Sequence, residues 1–147
     1  MPRLLDSSAL VDQMMNHERT TSFYRDCSIL DLTVYEAANA FWKLWRARQL
    51  ISFEDASAHI ANLSRLRGVM RLIGVASLDI EAVHELAKGT GLTIYDSSYV
   101  AVAQREGLEL VTADEKMRKA AASKVTTIAS ADMDPDPTGS SQRSTSP

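Results

Sequence analysis

Short apolar runs alternate with amphipathic stretches along most of the chain, at the spacing of strand–helix units. Leu4-Leu5, followed at once by Asp6-Ser7-Ser8, predicts a buried strand ending at a polar turn, with Ser7 or Ser8 capping a helix that runs to Met15. Residues 20–26 fit a helix or an irregular segment. Residues 28–33 predict a second strand, with Thr33 placed to cap the helix that follows. That helix, 34–48, has the clearest period in the chain: Val34, Ala37, Ala38, Phe41, Trp42, Leu44 and Trp45 form a broad apolar face. After a turn at 49–52, residues 53–66 repeat the pattern with Ala56, Ile60, Leu63 and Leu66, which predicts a helical hairpin.

Gly68 closes the hairpin, and the mostly apolar 69–75 fits a strand or a less regular run. Ser77-Leu78-Asp79 predicts the start of a helix over 79–88 that buries Ala82, Val83, Leu86 and Ala87 and stops at Gly89 and Gly91. The remainder predicts a strand at 92–94, a helix at 97–105, a strand at 108–111, a helix from Asp114 to Ala121 or Ala122, and a last strand at 125–128. Short apolar strands alternating with helices predict an α/β domain whose mostly parallel sheet is covered on both faces.

The final segment breaks the pattern. Residues 131–147 hold three of the four prolines and show no period, so the expected division is a domain over 1–130 and a disordered tail. This changes the charge picture. The whole chain of 147 residues carries 16 basic and 19 acidic groups, net −3. The tail holds three Asp and one Arg, so the body is left at net −1. A single cysteine, Cys27, excludes an internal disulfide framework and thiolate zinc sites, and is expected to be a small buried side chain. No apolar stretch near the N-terminus suits a signal peptide or a membrane span, which predicts a soluble, cytoplasmic protein.

The candidate chemistry lies in carboxylates. Asp6, Asp96 and Asp114 each follow a predicted strand, and Glu36 stands in the first turn of the long helix after the second strand. Ligands of open α/β sheets bind at the carboxyl ends of the strands, so the four can converge there. Each alone also suits a helix cap or a dipole contact. Clustered carboxylates repel one another, and a hard divalent cation relieves the repulsion. Oxygen ligands without histidine or cysteine suit Mg²⁺ or Mn²⁺, which serve phosphodiester hydrolysis. His17, His59 and His84 match no ligand spacing.

Four segments in order, LLDSSALV at 4–11, TVYEAANAFWKL at 33–44, LTIYDSSYVAVAQREG at 92–107 and LVTADEKM at 110–117, resemble PIN domains, and among them the VapC-like ribonuclease toxins of type II toxin–antitoxin systems. The resemblance spans residues 3–129. It implies a PIN-like three-layer α/β/α fold with a central, mostly parallel sheet of four or five strands and a protruding helical hairpin. It further implies Asp6, Glu36, Asp96 and Asp114 as catalytic, metal-holding acids for one or two Mg²⁺ or Mn²⁺ ions. Ser7 and Thr112 fall at supporting polar positions, and Asn39 lies one turn after Glu36, within reach of a carboxylate or a water. Ser97 and Ser98 depart from the small apolar residues usual at their positions. The implied activity is endoribonucleolytic hydrolysis leaving 5′-phosphate and 3′-hydroxyl ends. The implied partners are RNA, a VapB-like antitoxin presenting Arg or Lys to the acids, and a second copy in a homodimer.

Residues 37–71 carry six basic groups, Lys43, Arg46, Arg48, Arg65, Arg67 and Arg71, against Glu54 and Asp55. Lys43, Arg46, Arg65, Arg67 and, beyond Asp114, Arg118 are the candidate contacts to RNA phosphates, although such a run also suits a solvated helix face. Trp42 and Trp45 are expected in core or subunit packing. Two other functions stay open on the sequence: a PIN nuclease of RNA processing outside any toxin pair, and a non-catalytic PIN-like interaction subunit.

Overall fold

The computed structural model describes residues 2–134. Five short strands form one parallel sheet in the order β3-β2-β1-β4-β5. They are β1 (Arg3–Leu5), β2 (Cys27–Leu30), β3 (Arg71–Ile73), β4 (Glu109–Thr112) and β5 (Thr127–Ala129). The central strand β1 aligns Leu4 with Ser28 on one side and with Leu110 on the other.

Side chains of a strand alternate between faces, and the core divides accordingly. Leu5, Ile29 and Val111 point into one cluster with Ala9, Leu10, Ala37, Leu63 and Leu66. These come from α1 (Ser7–Asn16), α3 (Asp31–Trp42) and α4 (Phe53–Arg67). Leu4, Leu30 and Leu110 point the other way, into Tyr99, Val100, Val102, Ala103 and Met117. That layer is built by α6 (Ile94–Glu106) and α7 (Glu115–Ala121), with α5 (Ile80–Thr90) packed outside α6. A short α2 (Thr21–Arg25) leads into β2. The result is a three-layer α/β/α fold with an all-parallel sheet of five strands.

The helical hairpin forms as predicted, with one change. The first helix loosens after Trp42 into a π-helical turn, Lys43–Ala47, whose Lys43 carbonyl accepts from the Arg48 amide. Gln49 then takes a left-handed conformation (φ 52°) that turns the chain into α4. Phe41 stacks on His59 between the two helices, at 4.7 Å. Trp45 packs edge-on against Phe53, whereas Trp42 is 48% exposed and lies outside the core, one of the two places expected of it.

The strand predicted at 92–94 does not form. Gly91, at φ 73°, ends α5, and the Thr93 side chain accepts from the Asp96 amide and opens α6 at Ile94. Two helix caps in three residues leave no extended segment long enough to pair, and only Leu92 of the three is buried. Asp96 therefore lies inside the first turn of a helix. Gly89 stays helical within α5, and Asp79, with its carboxylate on two amides, is the cap of that helix.

The packed structure continues past residue 130. Ser130–Asp132 makes a 3₁₀ turn, Met133 is buried, and Asp134 pairs with Arg3. The rest of the predicted tail, 135–147, lies outside the described residues. Among the described residues no helix is long and apolar enough to cross a membrane.

Candidate active site

Asp6 is the first residue after β1 and the cap of α1. It is 5% exposed, and its carboxylate is held on both oxygens. Oδ1 accepts from Ser8 Oγ at 2.7 Å and from the Ala9 amide at 2.8 Å, while Oδ2 accepts from Thr112 Oγ1 at 2.5 Å. Thr112 ends β4, and its Oγ1 also accepts from the Asp114 amide. Ser8 Oγ accepts from the Ala113 amide, so two side chains stitch the ends of β1 and β4 together around one carboxylate. Burial pushes the Asp6 carboxyl above its ordinary range, with the charge of Asp96 adding to it, against the opposing pull of these hydrogen bonds.

Glu36 lies in the second turn of α3, where Oε1 accepts from the Tyr99 hydroxyl at 2.7 Å. Its carboxyl is raised by burial and then by Asp96 and Asp6. α6 runs back toward the start of β4, so its first turn returns Asp96 to the edge where the strands end. Burial, followed by the charge of Asp114, raises Asp96 too. Asp114 is exposed and caps α7, its Oδ1 accepting from the amides of Lys116 and Met117. Asp96 and Asp114 line one cleft of about 140 Å³ with Thr93, Lys116 and Met117, and Gly91 and Leu92 complete its wall.

The four acids thus share one electrostatic neighbourhood, each of Asp6, Glu36 and Asp96 feeling at least one of the others. Among the described residues none of the four forms an ion pair with Lys, Arg or His. Nor do any three His, Cys, Asp or Glu side chains among the described residues stand close enough to make a ready metal-ligating group. The acids gather, but Asp6 and Asp114 spend oxygens on their own helix caps.

The other predicted positions fare differently. Thr112 meets the Asp6 carboxylate, and the serine that does so is Ser8; Ser7 makes no hydrogen bond to it. Asn39 is exposed and makes no hydrogen bond to any of the acids. Lys43 and Arg46 project from the π-helical turn, exposed, and Arg67 is exposed at the end of α4. Arg65 bonds Asn62 and Thr21, and Arg118 is engaged by Glu115. Ser8 is read from the sequence only as a helix cap, and nothing there assigns Tyr99, Thr93 or Lys116 to the site. Tyr99 carries one usable signal, its place three residues after Asp96, which puts the two on one side of a helix.

The sequence profile of the family described as PIN domain matches residues 3–123. Two relatives from Pyrobaculum aerophilum are similar to most of the chain. A protein named Exonuclease VapC9 is 35% identical over 114 residues, 78% of this chain and 81% of its own. One named Ribonuclease VapC3 is 30% identical over 123 residues, 80% of this chain and 92% of its own. Among solved structures, PAE2754 from Pyrobaculum aerophilum superposes with a TM-score of 0.72 at 30% identity, covering 89% of this chain and 92% of its own. FitAcB from Neisseria gonorrhoeae superposes at 0.61 with 16% identity, over 88% of this chain and 99% of its own, a likeness of fold.

Proposed function

The chain belongs to the PIN domain family, and on that premise we propose that it is a Mg²⁺- or Mn²⁺-dependent endoribonuclease, the toxin of a VapBC-type pair. One observation carries the reading: Asp6, Glu36, Asp96 and Asp114 are linked pairwise in one electrostatic neighbourhood, with no basic side chain paired to any of them among the described residues. Such a set is short of positive charge. All its donors are hard oxygens, which fit a divalent cation of the Mg²⁺ or Mn²⁺ type. Asp6, Glu36, Asp96 and Asp114 would hold one or two ions after modest side-chain movement. A bound ion would supply charge stabilisation to a scissile phosphate and would acidify an attacking water.

The chain's own groups do the rest. Ser8 and Thr112 keep the Asp6 carboxylate in one orientation. Glu36 and Asp96, both held above ordinary carboxylates by burial first, are the candidates to accept a proton from water. Lys43, Arg46 and Arg67, exposed and without an ion pair among the described residues, are the basic candidates free to meet RNA phosphates. Arg65 and Arg118 are secondary, since both already have partners. A VapB-like antitoxin, a homodimer and a cytoplasmic location belong to the same proposal. The names of the two relatives, an exonuclease and a ribonuclease, support nuclease chemistry.

The test is cleavage of a mixed structured-RNA pool and of a circular RNA with Mg²⁺ or Mn²⁺, with EDTA and Asp6→Asn as controls. Wild type should cut both substrates, and both controls should lose cutting. Equal degradation by wild type and variant would remove the site assignment, and an intact circle would remove the endonucleolytic part.

A further inference from the structure

We propose that Tyr99 is the positioning residue for Glu36, a buried relay from Thr33 through Tyr99 that holds one carboxylate oxygen and leaves the other for a ligand. Tyr99 is 1% exposed and Thr33 wholly buried, yet both hydroxyls are satisfied. The Tyr99 hydroxyl stands 2.7 Å from Thr33 Oγ1 and 2.7 Å from Glu36 Oε1. Thr33 Oγ1 also accepts from the Leu30 amide at 3.1 Å.

Proton counting gives these contacts a direction. A hydroxyl carries one hydrogen, and an ionised carboxylate only accepts. Tyr99 must therefore donate to Glu36, and Thr33 must donate to Tyr99 while accepting from Leu30. Three successive donors, from the end of β2, from α3 and from α6, form one chain whose last member, the Tyr99 hydroxyl, donates to Oε1. Aligned donors reinforce one another in a dry interior. A core tyrosine needs one partner for its hydroxyl. This one takes two, and the second is a carboxylate with no ion pair among the described residues. Oε1 is thus locked, and no hydrogen bond within the described chain engages Oε2. Tyr99 shares α6 with Asp96, so the relay also ties the placement of Glu36 to the helix that carries a second acid.

The consequence for cleavage rests on the nuclease reading above; the positioning itself does not. The test is Mn²⁺ binding to the full chain, followed by electron paramagnetic resonance of the free ion, with thermal melting as a fold control. Tyr99→Phe keeps the ring and should weaken Mn²⁺ binding about ten-fold, the usual scale for a residue that orients a ligand. Glu36→Gln should weaken it comparably, and the double variant should bind no worse than Glu36→Gln alone. Thr33→Ser, which keeps the hydroxyl, should match wild type, and Thr33→Val should weaken binding. RNA cleavage by Tyr99→Phe should fall at limiting Mn²⁺ and recover at saturation.

Wild-type Mn²⁺ affinity in a folded Tyr99→Phe, or losses that add fully in the double variant, would overturn the relay. If Tyr99→Phe does not fold, unchanged binding in Thr33→Val overturns it instead. A wild type that leaves RNA intact but shows the Mn²⁺ coupling refutes the nuclease reading and keeps the relay. A wild type that cleaves RNA while Tyr99→Phe binds Mn²⁺ unchanged refutes the relay alone.

Discussion

Thr112 donates a 2.5 Å hydrogen bond to Oδ2 of Asp6 across 106 positions of sequence, joining the ends of two adjacent parallel strands at a buried carboxylate. Removing the donor leaves a nine-tenths-buried acid short of one partner. Thr112→Val should destabilise the protein by about 1.5–3 kcal/mol in urea unfolding, the scale of a hydrogen bond to a charged group. It should also lower cleavage about 10–100-fold, because the acid loses its orientation. Thr112→Ser should restore both.

At Asp96 the proposed role in cleavage and the stability of the fold oppose each other. Its carboxyl is raised by burial and by Asp114. A raised acid lends stability that is complete below its unfolded pKa and is lost as pH rises through its folded pKa. At pH 7 the charged form therefore weakens the metal-free fold. Asp96→Asn should stabilise the metal-free protein at pH 7 by about 0.5 kcal/mol, a value scaled for a half-solvated group. The gain should vanish below pH ~4, where the acid is neutral in both states. Melting curves at the two pH values check this, and RNA cleavage by the variant should be absent.

Metal should act as a stabilising ligand. At a hundred times its dissociation constant, Mn²⁺ should add about 2.7 kcal/mol to unfolding free energy. EDTA should reverse the gain and Asp6→Asn should abolish it. Protons compete for the same oxygens, and Asp6, Glu36 and Asp96 are all raised. Mn²⁺ binding should thus fade on acidification at a higher pH than ordinary carboxylates would give, as a calorimetric titration series would record.

Lys43, Arg46 and Arg48 stand together on the π-helical turn and its end, all exposed. Replacing the three by Ala should raise KM for RNA with little change in kcat. It should also flatten the salt dependence of binding by up to about two units of logarithmic slope, at ~0.7 per phosphate contact on single strands. Arg118→Ala, whose guanidinium is engaged by Glu115, should change the slope little.

Ser97 is fully buried in α6, and its hydroxyl has no hydrogen-bond partner among the described residues. Ser97→Ala removes an unsatisfied polar group and improves helix propensity, so it should stabilise the fold by about 1 kcal/mol with cleavage unchanged. Paired urea titrations of variant and wild type would show it.

What the chain declares locally, it declares well. The continuous apolar runs at Leu4-Leu5 and Leu110-Val111, buried on both faces of the sheet, and the helical period of Ala37, Phe41, Leu63 and Leu66 were legible because side-chain direction follows from backbone geometry. Asp6, Asp96 and Asp114 stand out in the sequence because each sits at a helix start, where sequence patterns are most distinctive, whereas Glu36 lies in the second turn of α3. Residues 92–94 misled because three apolar or β-branched residues look the same in a strand and in a cap. The outcome turned on Gly91 ending one helix and Thr93 opening the next.

Sequence alone thus determined the alternating architecture and the order of the segments, and it nominated the candidate acids. Tertiary structure decided which donors reach those acids. Ser8 in place of Ser7, the span from Thr112 to Asp6, and the hydroxyl of Tyr99 on Glu36 depend on how strands adjoin and helices cross. Partners 63 and 106 residues apart leave no periodic trace, because hydrogen bonds require angstrom-scale placement and sequence patterns record only faces.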